Sequence, residues 1–261
     1  MPPKPPVILC FSGHDPTGGA GVHADIEAIA AAGCHSASAI TCLTIQDTHN
    51  VQQLLPVAPG LFRQQAQAVL DDLPVAVIKI GLIGDTGICH EIAALLQKYP
   101  QIPVVLDPVL AAGGGTELAD GDLLQSIRMD LLPHVELATP NSLEARRISG
   151  RDGLLESAEE ILAMGCKNLL ITGAHESGSQ VVNTLYQGSI NHQQPWEWPR
   201  LPGSYHGSGC TLAAAAAARI ALGQPILRAV SEAQEYTWKT LDQANHFGSG
   251  QALPNRFFQQ T

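Results

Sequence analysis

Short apolar runs alternate along the chain with stretches in which apolar residues recur every three or four positions. Residues 7–11 (VILCF) predict a first strand. From 20 to 32, Val22, Ile26 and Ile29 share one helical face, with Asp25 and Glu27 off it. Strands are predicted at 36–45, 75–81, 103–108, 135–140 and 168–172. Helices are predicted at 59–73, 86–99, from Asn141 or Ser142 through 149, and at 157–164, 209–222 and 226–244. Residues 180–200 alternate between apolar and polar and contain turn residues, which suits an antiparallel edge. Strands interleaved with helices define an α/β chain, its mostly parallel central sheet covered by helices on both faces. The continuous apolar strands agree, since parallel strands are buried on both sides. No linker, repeat or low-complexity block interrupts this pattern, so residues 1–261 are expected to form a single domain.

Composition narrows the functions open to such a sheet. The chain has 14 Lys and Arg against 24 Asp and Glu, a formal net charge of −10. That balance excludes a general nucleic-acid binder, which needs a basic footprint. Nothing approaches 18 consecutive apolar residues, and the N-terminal apolar run is too short for a signal peptide, so no membrane role and a cytoplasmic location are expected. The six cysteines show no CxxC spacing. They are expected to be reduced and mostly buried, with no structural zinc.

Four loops follow predicted strands or open predicted helices, where open α/β sheets bind ligands. The first, 12–25 (SGHDPTGGAGVHAD), carries four glycines into a helix start. Gly19–Ala24 matches the dinucleotide pattern G-x-G-x-x-A, but seven residues separate it from its strand, and no acid follows until Asp47. A dehydrogenase is therefore disfavoured, although a purely structural glycine turn stays open. The second, 205–219, runs a Gly207-Ser208-Gly209 turn into an alanine-rich helix. Successive N–H groups there can face one anion. Cys210 falls in the first helical turn, a position expected to lower a thiol's pKa, unless it is only packing. In the third, Asn141 and Glu144 share a face of a helix start. They could hold the water shell of Mg²⁺ or simply cap the helix. The fourth, 107–115 (DPVLAAGGG), is a flap candidate. His14, His175 and His206 also fall in loops, where structural hydrogen bonds are the expected role.

Taken in order, GHDPTGGAGVHAD, the strand exit TIQDT, KIG, LDPV, TPNSLEA and HGSGCT resemble the hydroxymethylpyrimidine/phosphomethylpyrimidine kinases of thiamine biosynthesis, within the ribokinase-like superfamily. The resemblance spans residues 7–222. It implies a ribokinase-like three-layer sandwich and ATP- and Mg²⁺-dependent phosphorylation of 4-amino-5-hydroxymethyl-2-methylpyrimidine and then of its monophosphate. It also implies a homodimer. By the same resemblance Gln46 hydrogen-bonds the pyrimidine, Gly13 and Asp25 belong to the substrate loop, and Val109 contacts the ring. Asn141 and Glu144 place phosphates and, through water, the metal, with Thr172 and His175 beside the nucleotide phosphates. Gly207, Ser208, Gly209 and Cys210 form the anion hole at the point of transfer. The chain departs from the pattern at Thr172-Gly173-Ala174-His175, where the family often reads K-G-G-H. Pyridoxal, another ring bearing CH₂OH, makes pyridoxal kinase the nearest rival. A flap without cysteine favours the pyrimidine. The missing lysine leaves a non-catalytic pyrimidine sensor as a second rival.

Overall fold

The computed structural model describes residues 4–260. Nine strands form one sheet: β1 Val7–His14, β2 His35–Gln46, β3 Val51–Pro56, β4 Val75–Ile80, β5 Val104–Leu106, β6 Leu137–Ala138, β7 Asn168–Ile171, β8 Gln180–Gln187 and β9 Ser189–Pro199. Their order is β3-β2-β1-β4-β5-β6-β7-β8-β9. Six strands from β2 to β7 in that order are parallel; β3 and β8 run antiparallel to them, and β9 pairs antiparallel with β8 at the edge. The expected 180–200 edge is the β8–β9 hairpin. The other edge is not in the sequence pattern, because β3 is broken by Gln52 and Gln53 and ends on Pro56, as an exposed edge strand permits. The strands expected at 103–108 and 135–140 pair over only three and two residues, since Pro103 and Pro140 lack an N–H for the ladder.

Helices α1 Gly21–Ala31, α2 Pro59–Asp72, α3 Thr86–Lys98, α4 Gly121–Ser126, α5 Ser142–Ser149, α6 Leu154–Ala163, α7 Ser208–Ala221 and α8 Ile226–Asp242 cover both faces. The two-residue period of the strands sorts the core. Leu9, Phe11, Ile78 and Ile80 point into the layer with Phe62 of α2 and Ile88 and Ile92 of α3. Ile8, Cys10 and Val77 point the other way, onto Ala28 and Ile29 of α1 and Ala213–Ala218 of α7. Those six alanines are all fully buried, so α7 lies almost backbone-to-sheet. Lys79 follows the same alternation and so faces α1, where its Nζ meets Asp25 Oδ1 at 2.9 Å with both side chains fully buried. Every strand that carries a candidate residue ends on the same edge of the sheet, which brings the candidate loops together there.

Candidate active site

One cavity of about 610 Å³ opens at the carboxyl edge of the sheet. Gly13 and Gln46 line it from the ends of β1 and β2, and Val109 lines it from the loop after β5. Asn141, Glu144, Thr172 and His175 line it from the ends of β6 and β7, and Gly207 through Cys210 from the start of α7. Eleven of the twelve residues singled out in the sequence therefore share one space.

Asp25 is the exception. It was expected on the polar side of α1 and in the substrate loop. Instead it is fully buried, accepts a hydrogen bond from Ser12 Oγ and pairs with Lys79. A carboxylate this deep is stable only with such partners, and Ser12 and Lys79 supply them at the base of the loop.

Gly207 sets the geometry of the turn into α7. Its φ of 83° turns the chain into α7, and a side chain there would run into the Gly19 carbonyl. Thr211 Oγ1 donates back to the Gly207 carbonyl at 2.8 Å, and the N–H groups of the first turn, having no carbonyl one turn earlier in the helix, stand at its positive end. The Asp107 carboxylate comes close to this turn: a Cβ added at Gly209 would lie 3.6 Å from its Oδ1.

The thiol of Cys210 departs from its expected chemistry. The helix start should lower its pKa, but the surrounding protein and the nearby Asp107 push it up to about 12. It is a thiol that hydrogen-bonds Asp107, not a thiolate.

Asp107, just past a predicted strand and at the head of the flap loop, marks the ligand-binding edge in the sequence but was given no role among the site residues. It is 4% exposed and its Oδ2 has no hydrogen-bond partner. Burial, only partly offset by Lys79, raises its carboxyl to about 6. Glu144 lies close by and is raised to about 8, by burial and then by Asp107. The capping arrangement considered for this segment is present: Asn141 Oδ1 accepts from Glu144 N at 3.0 Å, and Glu144 Oε2 accepts from Asn141 N at 2.9 Å. Glu144 Oε1 also receives the Leu110 N–H at 3.3 Å, which ties the flap loop to α5.

Cations are scarce in the cavity. Among the described lining residues the only Lys or Arg is Arg200, and its guanidinium is spent on the carbonyls of Ala174, Glu176 and Gly178. Thr172 brings no charge, and its carbonyl accepts from Ser142 N at 2.9 Å. His206, expected to make a structural hydrogen bond, makes one beside Gln46, and its partner is Asp15, which was not singled out. His206 Nε2 lies 2.8 Å from Asp15 Oδ2 and 3.2 Å from the Gln46 amide. Their sequence signal is their position, within two of the glycine loops.

A mostly parallel sheet sandwiched by helices, with a glycine nest and paired acids at its carboxyl edge, is the ribokinase-like architecture. The structure superposes on an ADP complex of pyridoxal kinase from Bacillus subtilis with a TM-score of 0.90 at 26% identity, covering 98% of this chain and 99% of that one. Residues 15–255 match the family model described as phosphomethylpyrimidine kinase. The chain is 35% identical over 256 residues to a hydroxymethylpyrimidine/phosphomethylpyrimidine kinase of Streptomyces coelicolor, covering 95% of this chain and 93% of that protein. It is 34% identical over 254 residues to a bifunctional thiamine biosynthesis protein of Geobacter sulfurreducens, where the match covers 95% of this chain but 51% of the longer protein. The chain belongs to the phosphomethylpyrimidine kinase family.

Proposed function

We propose that the protein transfers the γ-phosphoryl group of ATP to the hydroxymethyl group of 4-amino-5-hydroxymethyl-2-methylpyrimidine and then to the resulting monophosphate. The observation that carries this reading is the presence, in one cavity, of a ring-reading amide at Gln46 and an N–H nest at Gly207–Cys210. A primary amide is a hydrogen-bonding group suited to an aminopyrimidine edge, whose ring nitrogens accept. The nest stabilises charge on the phosphoryl group in flight. Phosphoryl transfer asks the protein mainly for positioning and electrostatics.

Mg²⁺ is the second requirement. Among the described residues no group of three or more His, Cys, Asp and Glu is placed to hold a metal. The orphaned Oδ2 of Asp107, beside Glu144, nevertheless fits an ion that arrives with the nucleotide and keeps most of its waters. Such an ion supplies positive charge to the phosphates in a cavity poor in lysine and arginine. Asp107 and Glu144 then become stable in their ionised forms.

Self-association is supported by Leu43, Ile45 and Leu55, each more than two-fifths exposed on the β2–β3 hairpin. A cytoplasmic location is supported by six free cysteines, five of them buried.

Pyridoxal phosphorylation is the second reading, favoured by the likeness to the pyridoxal kinase fold. A panel of the hydroxymethylpyrimidine, its monophosphate and pyridoxal, read by ATP consumption, separates the two. The pyrimidine alcohol should give the highest kcat/KM. A preference for pyridoxal would reverse the assignment, and no turnover with any of the three would indicate a sensor.

A further inference from the structure

Asp15 is an unusually committed carboxylate. It accepts from Thr17 N at 2.8 Å, from Ala20 N at 2.7 Å and from the Thr17 hydroxyl, and it is 3% exposed. Burial opposes its charge, but the hydrogen bonds from His206 and Thr17 outweigh that and hold the carboxyl well below its usual range. It is thus an acceptor at any physiological pH. A carboxylate 2.8 Å from His206 Nε2 requires a proton on that nitrogen, whether the ring is neutral or charged. The backbone that carries the ring is also held, since His206 N donates to the Ala252 carbonyl at 3.0 Å.

That proton constrains Gln46. The nitrogen end of its amide lies 3.2 Å from the same Nε2, so two N–H groups face each other. A half-turn about the last side-chain torsion exchanges the two ends without changing the shape of the residue. It replaces the conflict with a three-centre contact, the one Nε2 hydrogen shared between the Asp15 carboxylate and the Gln46 carbonyl, and turns the NH₂ group to the cavity. We propose that the Asp15–His206 pair is a positioning device that fixes Gln46 with its carbonyl towards His206 and its NH₂ towards the bound ring. The ring-reading end of the site is then a hydrogen-bond donor, and it selects rings that present an unprotonated nitrogen. This rests on the reading of Gln46 as the ring contact.

A double-mutant cycle tests it: Gln46→Ala, His206→Phe and the pair, with His206→Gln as the variant that keeps an N–H near the former Nε2. The readouts are KM for 4-amino-5-hydroxymethyl-2-methylpyrimidine, KM for ATP, and melting temperature. His206→Phe should raise the pyrimidine KM about tenfold, the scale of one hydrogen bond, and leave the ATP KM unchanged. In the Gln46→Ala background the same substitution should add less than twofold, because its effect runs through the amide. His206→Gln should recover most of the loss. Additive effects, or His206→Gln as poor as His206→Phe, would overturn the proposal while Gln46 remains the ring contact. An unchanged pyrimidine KM in Gln46→Ala would overturn the ring reading as well. Should His206→Phe fail to fold, the wild-type protein still decides: a benzene analogue with C–H at both ring nitrogens should compete about tenfold more weakly than the pyrimidine. Equal competition would remove the donor assignment.

Discussion

At the scale of single residues, the site stores its chemistry in groups that burial has pushed away from their ordinary ionisation. A thiol at about 12 is ionised in roughly one molecule in 10⁵ at pH 7, so Cys210 should react slowly with iodoacetamide at neutral pH. Labelling as fast as a free thiol, followed by mass spectrometry, would show that the thiolate forms after all. Asp107 carries the clearer pH signature. Its folded-state pKa of about 6 is above the unfolded value near 3.9. The folded chain therefore holds the proton more tightly, and that stabilisation is complete below pH ~4 and lost as pH rises through 6. Asp107→Asn removes this dependence. Without nucleotide, the variant should match wild type near pH 4 and melt a few degrees higher at pH 8, which thermal scans across that range will check. A wild-type advantage at pH 8 would mean that Asp107 is stabilised by its partners after all. The same substitution deletes a carboxylate that Mg²⁺ would use, so the gain in stability should come with a loss of activity.

At the scale of elements, α7 and α5 show how helix starts build the site. Gly207 and Gly209 look equivalent in the sequence, but only Gly207 has positive φ. Gly207→Ala should cost at least about 2 kcal/mol and most of the activity. Gly209→Ala, whose added Cβ meets Asp107 at an ordinary 3.6 Å, should melt within a degree or two of wild type. Equal losses in the two variants, measured by calorimetry, would show that crowding rather than backbone conformation governs this turn. These elements also show what a sequence can disclose. The strands, the alanine-rich helix and the loops that gather at one sheet edge follow from periodicity and from the placement of glycine, because those signals are local. The edge strand β3 carries no such signal, since its pairing with β2 is what makes it a strand. The same holds for Asp25 and Asp107. Whether a carboxylate faces water, a lysine 54 residues away or a thiol 103 residues away depends on packing, which no local pattern encodes.

At the scale of the whole molecule, one arginine ties distant parts of the site together. Arg256 is 3% exposed and donates to Thr211 Oγ1 at 2.9 Å, to Glu27 Oε2 at 2.9 Å and to the carbonyls of Gly18 and Gly19. It thus bridges the glycine loop ahead of α1 to the first turn of α7, and Tyr236 fixes its backbone through a 2.8 Å hydrogen bond to the Arg256 carbonyl. Arg256→Ala leaves one buried and one part-buried carbonyl and a hydroxyl without this donor. It should lower stability by roughly 2–4 kcal/mol and expose residues 15–21 to limited proteolysis. An unchanged melting temperature and digestion pattern would show that the loop holds its shape alone. The partners of Arg256 lie as much as 238 residues upstream. A chain made at ~5–20 residues per second emits the glycine loop roughly 10–50 s before the residue that secures it. Only in the last part of that interval, once β9 has ended at Pro199, does the nascent protein have its whole sheet with the glycine loop still unlatched, so the ability to transfer phosphate should arrive abruptly, near the end of translation, rather than grow with the chain.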